Sequence, residues 1–524
     1  MNQREKWGTK LGIIMAVAGS AVGLGNFLRF PVQATQNGGG AFMIPYFISF
    51  LLLGIPLMWI EWAIGRYGGL FGHGSAPFIF NRLAKNRFLK YLGIIGVFGP
   101  VVIFIYYTYI ESWLLGYAFF AISGKLLQFT TPASIKSFLL AYQGLAPQSN
   151  LLTAYIFFLI TFGINIWILY RGLKGGIEWL CNWALPVLFI FGIIVAIRVL
   201  TLGTPNLSQP GWNILNGLGF MWNPDFSVLT NSKVWLAAAG QIFFTLSVGI
   251  GAILTYASYL SRGDDVVLSG ITAASTNEFA EVILGGSIVI PAAFAFLGAA
   301  GATQAAASGA FNLGFVTMPL IFSQIPLGEI FAVLWFTLLF LAGITSSVSL
   351  AEPAIALVRD ELKLSRAKSV TIFAITTFIL CQPVIFFLGR GVLDELDFWG
   401  GTFCLVLFAL IETILFVWVF GMDKAWEEMH HGAELTIPRF YRFIMKYITP
   451  LFLIFILGFW FIQQALPTLM MNGAAPENVP YILATRIGMV LFFIALAILV
   501  RFAYYRMQPL SPNLDNLKNR GEEA

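Results

Sequence analysis

GSAVGLGNFLRFP, residues 19–31, lies inside the first long apolar stretch of the chain. A helix that only has to cross a bilayer needs no such cluster of glycines with an asparagine and an arginine. A second interruption, VGIG at 248–251, falls inside GQIFFTLSVGIGAILTYASY, residues 240–259. Backbone polar groups left unpaired in hydrocarbon cost several kcal/mol each, so irregular backbone there survives only around a cavity or a ligand. Each break exposes carbonyls at the end of one half-helix and N–H groups at the start of the next. The first end suits a cation or an ammonium, the second a carboxylate. Two facing breaks therefore suit a zwitterion with small cations beside it. Gly19 and Gly23 also form GxxxG, a close-packing motif. For one span alone packing is the better reading; the matched pair reverses that, because paired interruptions point to a transporter's substrate site.

Composition sets the class. Of 524 residues, 58% are hydrophobic and only 10% charged, less than half the usual charged fraction. Apolar runs of bilayer-spanning length recur from end to end, which predicts an all-α polytopic membrane protein. Twelve spans are expected, at roughly 10–36, 41–66, 88–122, 151–170, 177–200, 233–260, 266–296, 328–360, 368–387, 392–420, 443–466 and 479–505. The breaks fall in the first and sixth, which predicts a five-plus-five inverted repeat within a single transporter domain over 1–524. Repeat one covers about 10–200, repeat two about 233–420, and two additional helices about 443–505. The glycine-rich segments 201–232 and 296–327 are expected to be external loops packed over the membrane domain, the second with short helices, and the tail after Arg506 to be flexible.

The net charge of +5 reads as orientation, not as a nucleic-acid footprint. Arg4, Lys6 and Lys10 precede the first span; Arg82, Lys85 and Arg87 follow the second; Arg171 and Lys174 follow the fourth. Lys363, Arg366 and Lys368 follow the eighth, and Arg439, Arg442 and Lys446 precede the eleventh. This bias places both termini in the cytoplasm of a multi-pass inner (plasma) membrane protein. MNQREKWGTK lacks the form of a signal peptide. Cys181, Cys381 and Cys404 lack CxxC spacing and read as buried small hydrophobes.

Neutral oxygens cluster near the breaks: Asn26, Thr245, Asn277, Thr345 and Ser346. With few carboxylates among them they suit a monovalent ion; Ca²⁺ would call for more. Any one hydroxyl alone more often bonds back to its own helix. The chain holds no GxxxxGK[ST] and no HExxH, and its histidines, His73, His430 and His431, lie near loops. No repeated filter sequence suggests a channel. An ATP-driven pump and an enzyme are therefore disfavoured, while a proton-coupled carrier and an ion channel stay as alternatives. A tenfold sodium gradient supplies about 1.4 kcal/mol per ion, and 100 mV adds about 2.3 kcal/mol per charge.

AVGLGNFLRFP, NGGGAFMIPY, IYYTYIESW, GQIFFTLS and LDFWGGT together resemble the neurotransmitter:sodium symporter family, and within it most closely its bacterial, leucine-carrying members. The likeness runs over nearly all of the chain. It implies sodium-coupled symport of an amino acid by alternating access, with two Na⁺ as co-transported ions and no cofactor. The implied partners are the substrate and the lipid bilayer, with a homodimer left open. One implied sodium site uses the Ala21 carbonyl, Asn26, Thr245, Asn277 and the substrate carboxylate. The other uses the carbonyls of Gly19, Val22 and Ala342 with the hydroxyls of Thr345 and Ser346. The substrate carboxylate is implied to meet the N–H groups of Leu24 and Gly25 and the Tyr107 hydroxyl. Its ammonium would meet carbonyls of Ala21, Phe244 and Thr245, helped by Ser247.

The family's monoamine carriers have an aspartate where this chain has Gly23, so the resemblance favours a substrate that keeps its own carboxylate. The implied side-chain pocket is Ile103, Tyr107, Phe244, Ile250, Ser346 and Leu350. It is apolar, which favours neutral, aliphatic amino acids over charged ones. Ile250 stands where leucine carriers have an aromatic, and Ile103 where they have a valine. Glu281 stands where chloride-dependent members have a serine, which implies chloride-independent transport. The outer gate is implied as Arg29 and Asp397, direct or through water, above a lid of Tyr107 and Phe244. The inner gate is implied as Arg4 and Asp360, with Trp7, Ser258 and Tyr259 nearby. Exposed pairs contribute under about 1 kcal/mol, so either gate can open. Glu352 has no role in this reading; Glu61, Glu111 and Glu412 are expected to serve structure at least as much as function.

Overall fold

The computed structural model describes residues 4–84 and 86–507. Lys85 and the tail after Met507 lie outside the described residues, and with them most of the expected flexible tail. Among the described residues the chain is mostly helical and forms no strand beyond a single bridge between Gly39 and Pro224. Ten helices among the described residues are long and apolar enough to cross a membrane: Met43–Leu70, Leu89–Ile122, Leu152–Tyr170, Leu173–Leu200, Val267–Ala307, Gly328–Glu361, Arg366–Phe386, Val392–His430, Phe440–Leu469 and Pro476–Arg506. An eleventh is the pair Lys10–Ala21 and Gly25–Gln36, bent by 43°. Ser232–Leu246 and Ala252–Ala257 occupy the place of the expected sixth span, separated by a five-residue break.

Burial orders the bundle. The helix Ile95–Ile122 packs along Gly328–Ala356, and Lys10–Ala21 packs on the latter and on Val267–Glu278. The most apolar window of Leu89–Ile122 is 83% buried, while that of Pro476–Arg506 is only 17% buried. Both are apolar on all sides, so the first is a core helix and the second offers its surface to hydrocarbon. Phe455, Ile462, Leu491, Ile498 and Phe502 belong to the same exposed apolar rim. Interrupted helices thus sit at the centre, where polar backbone can be met by protein.

The segment 296–327 holds short helices as expected, but the seventh span does not end at 296. The seventh-span helix runs on to Ala307, broken in direction at Gly298 (φ 70°, ψ 177°), and Ala310–Ser323 adds a further apolar helical stretch. Alanine carries the extension as the best helix former, and Gly298 supplies the turn that an L side chain resists. The segment 201–232 holds the helix Ile214–Trp222, which packs on Gly286–Ala307.

Candidate functional site

The first α-helix stops at Val22 (ψ 89°), whose N–H still reaches Ala18 O at 2.7 Å. The next two N–H groups leave the helical ladder: Gly23 N–H donates to Asn26 Oδ1 at 2.8 Å and Leu24 N–H to the Tyr107 hydroxyl at 3.4 Å. A π-helical turn, Gly25–Arg29, restarts the chain. Gly25 lies against the Phe244 ring; a Cβ there would come within 2.6 Å of it. The second break spans Ser247 (φ 55°) to Gly251 (φ 90°). At Gly251 a Cβ would stand 2.5 Å from Gly96 O, so glycine serves both the left-handed backbone and the close approach. Buried Glu61 accepts from Gly249 N–H, so this carboxylate pairs a backbone donor that the break strands. Glu111 likewise accepts from Asn165 Nδ2 at 3.1 and 3.2 Å.

Both breaks open on one cavity of about 470 Å³. All eleven residues singled out for the substrate line it: Ala21, Leu24, Gly25, Ile103, Tyr107, Phe244, Thr245, Ser247, Ile250, Ser346 and Leu350. Ser247 Oγ donates to Ser20 O at 2.9 Å, tying the second break to the first. A Cβ at Gly23 would meet Ser346 Oγ at 2.9 Å and the Tyr107 hydroxyl at 3.2 Å, so the wall has no room for a longer side chain there without displacing both.

The first group of neutral oxygens is polarised by Glu281. This buried carboxylate accepts from Tyr46 OH at 2.9 Å, from Gln241 Nε2 at 3.0 Å and from Thr245 Oγ1. A hydroxyl has one proton, so with its own on Glu281, Thr245 Oγ1 can only accept, and Asn277 Nδ2 donates to it at 2.9 Å. The Asn277 amide is thereby oriented. Its Oδ1 takes Asn26 Nδ2 at 2.8 Å and faces Ala21 O at 3.1 Å and Thr245 O at 3.2 Å. Three oxygens at such separations with no hydrogen between them form a donor set for a small cation.

The second cluster lies where Gly19 meets the eighth-span helix. Ser346 Oγ stands 3.3 Å from Gly19 O and 3.0 Å from Ala342 O; Thr345 Oγ1 stands 3.2 Å from Ala342 O and 3.0 Å from Leu341 O. Val22, the fifth residue assigned there, is the buried residue at which the helix stops.

The two charge pairs expected as gates differ. Among the described residues no ion pair joins Arg29 to Asp397, which corrects the direct form of the expected outer pair. Arg29 sits over the Phe244 ring, 4.2 Å from its centroid, and Asp397 Oδ1 accepts from Tyr106 OH at 2.7 Å. Each charge has another partner, and both line the cavity, which extends past them to Gln33, Gln36 and Asp394. The inner pair is made: Arg4 Nη2 lies 3.3 Å from Asp360 Oδ2 and 2.9 Å from Ser258 Oγ, and Arg4 Nη1 reaches Ser258 O and Gly69 O at 2.9 Å. The guanidinium stands over Tyr259, 5.0 Å from the ring centre. Trp7 Nε1 donates to Tyr256 O at 3.0 Å.

Sequence reasoning missed the rest of this seal. Arg359 bridges Glu5 (2.5 Å), Asp360 (2.9 Å) and the Tyr259 hydroxyl (2.8 Å). Glu352, left without a role above, accepts from that hydroxyl at 2.8 Å and pairs with Arg366 at 2.7 Å. Glu178 accepts from Gly8 N–H at 2.7 Å, Thr9 N–H at 3.1 Å and Thr9 Oγ1 at 3.0 Å, holding the start of the first helix. The available signal was a carboxylate inside an apolar run, GGIEWL in one case and LAEPAI in the other.

Known proteins resemble the chain over most of its length. The sequence matches the sodium:neurotransmitter symporter family over residues 4–133 and 148–507. It is 32% identical over 460 residues to an uncharacterized sodium-dependent transporter of Methanocaldococcus jannaschii, covering 86% of this chain and 89% of that protein. It is 26% identical to the sodium-dependent serotonin transporter of Drosophila melanogaster, over 87% of this chain and 76% of that one. It is also 26% identical to the sodium-dependent nutrient amino acid transporter 1 of Drosophila yakuba, over 87% of this chain and 77% of that one. Among solved structures, MhsT in complex with L-phenylalanine superposes with a TM-score of 0.74 at 30% identity, covering 87% of this chain and 99% of MhsT.

Proposed function

The chain belongs to the sodium:neurotransmitter symporter family and is a sodium-dependent membrane transporter, and from that premise we propose that it carries neutral, chiefly aliphatic amino acids inward together with two sodium ions and without chloride. The observation that carries this reading is the meeting of both broken helices on one cavity that all eleven assigned residues line. The half-helix N–H groups at Leu24 and Gly25 and the Tyr107 hydroxyl take the carboxylate; the carbonyls of Ala21, Phe244 and Thr245 take the ammonium. The space around Gly23 supports the carboxylate-bearing substrate, since an amine-pairing aspartate there would clash with Ser346 and Tyr107. Relatives named for serotonin and for amino acids make the amine the natural rival.

One sodium sits at Ala21, Asn26, Thr245 and Asn277, sharing the substrate carboxylate. The other sits at Gly19, Val22, Ala342, Thr345 and Ser346. Glu281 supplies the fixed negative charge that chloride would otherwise bring. Counting both interrupted segments as crossings gives twelve, arranged as two inverted repeats, 10–200 and 233–420, plus two further helices. Both termini lie in the cytoplasm. The joined Arg4–Asp360 pair and the lack of a direct Arg29–Asp397 pair among the described residues support a conformation sealed on the cytoplasmic side; substrate and sodium bias which gate opens next.

The test is uptake into proteoliposomes holding the full chain. With an inward sodium gradient, labelled leucine, valine or alanine accumulates above the external level; with potassium replacing sodium at fixed pH, accumulation is expected to fall to background. Accumulation that survives the replacement supports a proton-coupled carrier, and flux without accumulation supports a channel.

A further inference from the structure

Two cavity residues stand outside every role assigned so far. Ser20 and Ser349 both line the substrate cavity, at 3% and 1% exposure, on the first and eighth spans. Their hydroxyl oxygens are 2.7 Å apart, and Ser349 Oγ donates to Ser346 O at 2.7 Å. A hydroxyl carries one proton and two acceptor lone pairs. The arrangement that gives both protons a protein acceptor has Ser349 donating to Ser346 O and Ser20 donating to Ser349. Both donors are then spent, and the lone pairs left over, two on Ser20 and one on Ser349, are acceptors. The neighbouring wall is aliphatic at Ile103, Ile250 and Leu350. A polar surface that only accepts, set in an apolar wall, discriminates by what the substrate can donate.

We propose that Ser20 and Ser349 are specificity-determining residues that present hydrogen-bond acceptors to the side chain of the carried amino acid and favour a neutral side chain bearing an O–H or N–H donor. The proposal rests on the amino-acid reading above and refines it: the cavity carries aliphatic residues, but it takes threonine, tyrosine or tryptophan better than their donor-free counterparts would suggest. Side chains that only accept, such as carboxylates, face lone pair against lone pair.

The experiment measures competition against labelled substrate uptake in proteoliposomes by the near-isosteric pairs threonine and valine, and tyrosine and phenylalanine, for the natural chain and for S349A and S20A/S349A. One exchanged hydrogen bond corresponds to about a tenfold effect. The expected result is a drop of about tenfold in the donor-to-isostere potency ratio of at least one pair in S20A/S349A, with a smaller drop in S349A. A general loss of uptake cancels in the ratio. Both ratios unchanged within twofold in the double variant would overturn the proposal while leaving amino-acid transport intact. If no neutral amino acid competes in the natural chain, the amino-acid reading fails, and this proposal with it.

Discussion

Replacing Asn277 with alanine is expected to raise the sodium concentration for half-maximal uptake about 100-fold. Asn277 Oδ1 closes the set formed with Ala21 O and Thr245 O, at 3.1 and 3.2 Å. Its amide N–H also donates to Thr245 Oγ1, so alanine removes both a proposed cation ligand and the group that organises a second one. Each interaction with a charge contributes about 1.5–3 kcal/mol when lost, and 100-fold corresponds to about 2.8 kcal/mol. The proposed second sodium site, around Gly19, Thr345 and Ser346, makes none of these contacts, so the remaining uptake stays sodium-dependent. The sodium titration of initial uptake rate checks this; an unchanged half-saturation point would remove Asn277 from the cation site.

Glu281→Ser carries the second large effect. In the natural chain, uptake is expected to be the same in chloride and in gluconate. In E281S, uptake in gluconate is expected to fall about 20-fold and to return on adding chloride. The serine leaves Gln241 Nε2 and Thr245 Oγ1 aimed at a space emptied of its carboxylate, beside a Tyr46 OH whose one proton can turn to Glu278 Oε2 at 2.7 Å. Bringing sodium beside uncompensated donors in a low-dielectric interior is costly, and a small anion restores the balance. Chloride stimulation of the natural chain, or an E281S variant indifferent to chloride, would contradict the assignment of Glu281.

Much of this was legible in the sequence because hydrocarbon is an unforgiving solvent. Apolar length gave the spans, and glycine pairs inside two of them gave the breaks. The extension of the seventh-span helix to Ala307 was hidden by GAAGATQAAA: its glycines suggest a loop, while alanine's helix propensity and one turning glycine decide otherwise. The cavity residues came from long family-like motifs, not from periodicity, which would have left Ile103, Ile250 and Leu350 as ordinary core. The full inner seal was not legible, because its charges come together only through tertiary packing: Glu5 on Arg359, Glu352 on Arg366 and Glu178 on the first helix. Of the two forms expected for the outer pair, direct or through water, the direct one is absent among the described residues because Tyr106 and Phe244 take up the two charges, and no spacing rule reports on that competition.

The central claim is that two broken helices hold a carboxylate-bearing, zwitterionic substrate beside sodium. Equilibrium binding of labelled leucine to the purified full chain tests it most directly, in sodium and in potassium, with leucine's decarboxylated amine as competitor. Saturable binding is expected in sodium alone, with the amine at least 100-fold weaker than the amino acid. Equal binding in potassium, or an amine that competes as well as its parent, would contradict it.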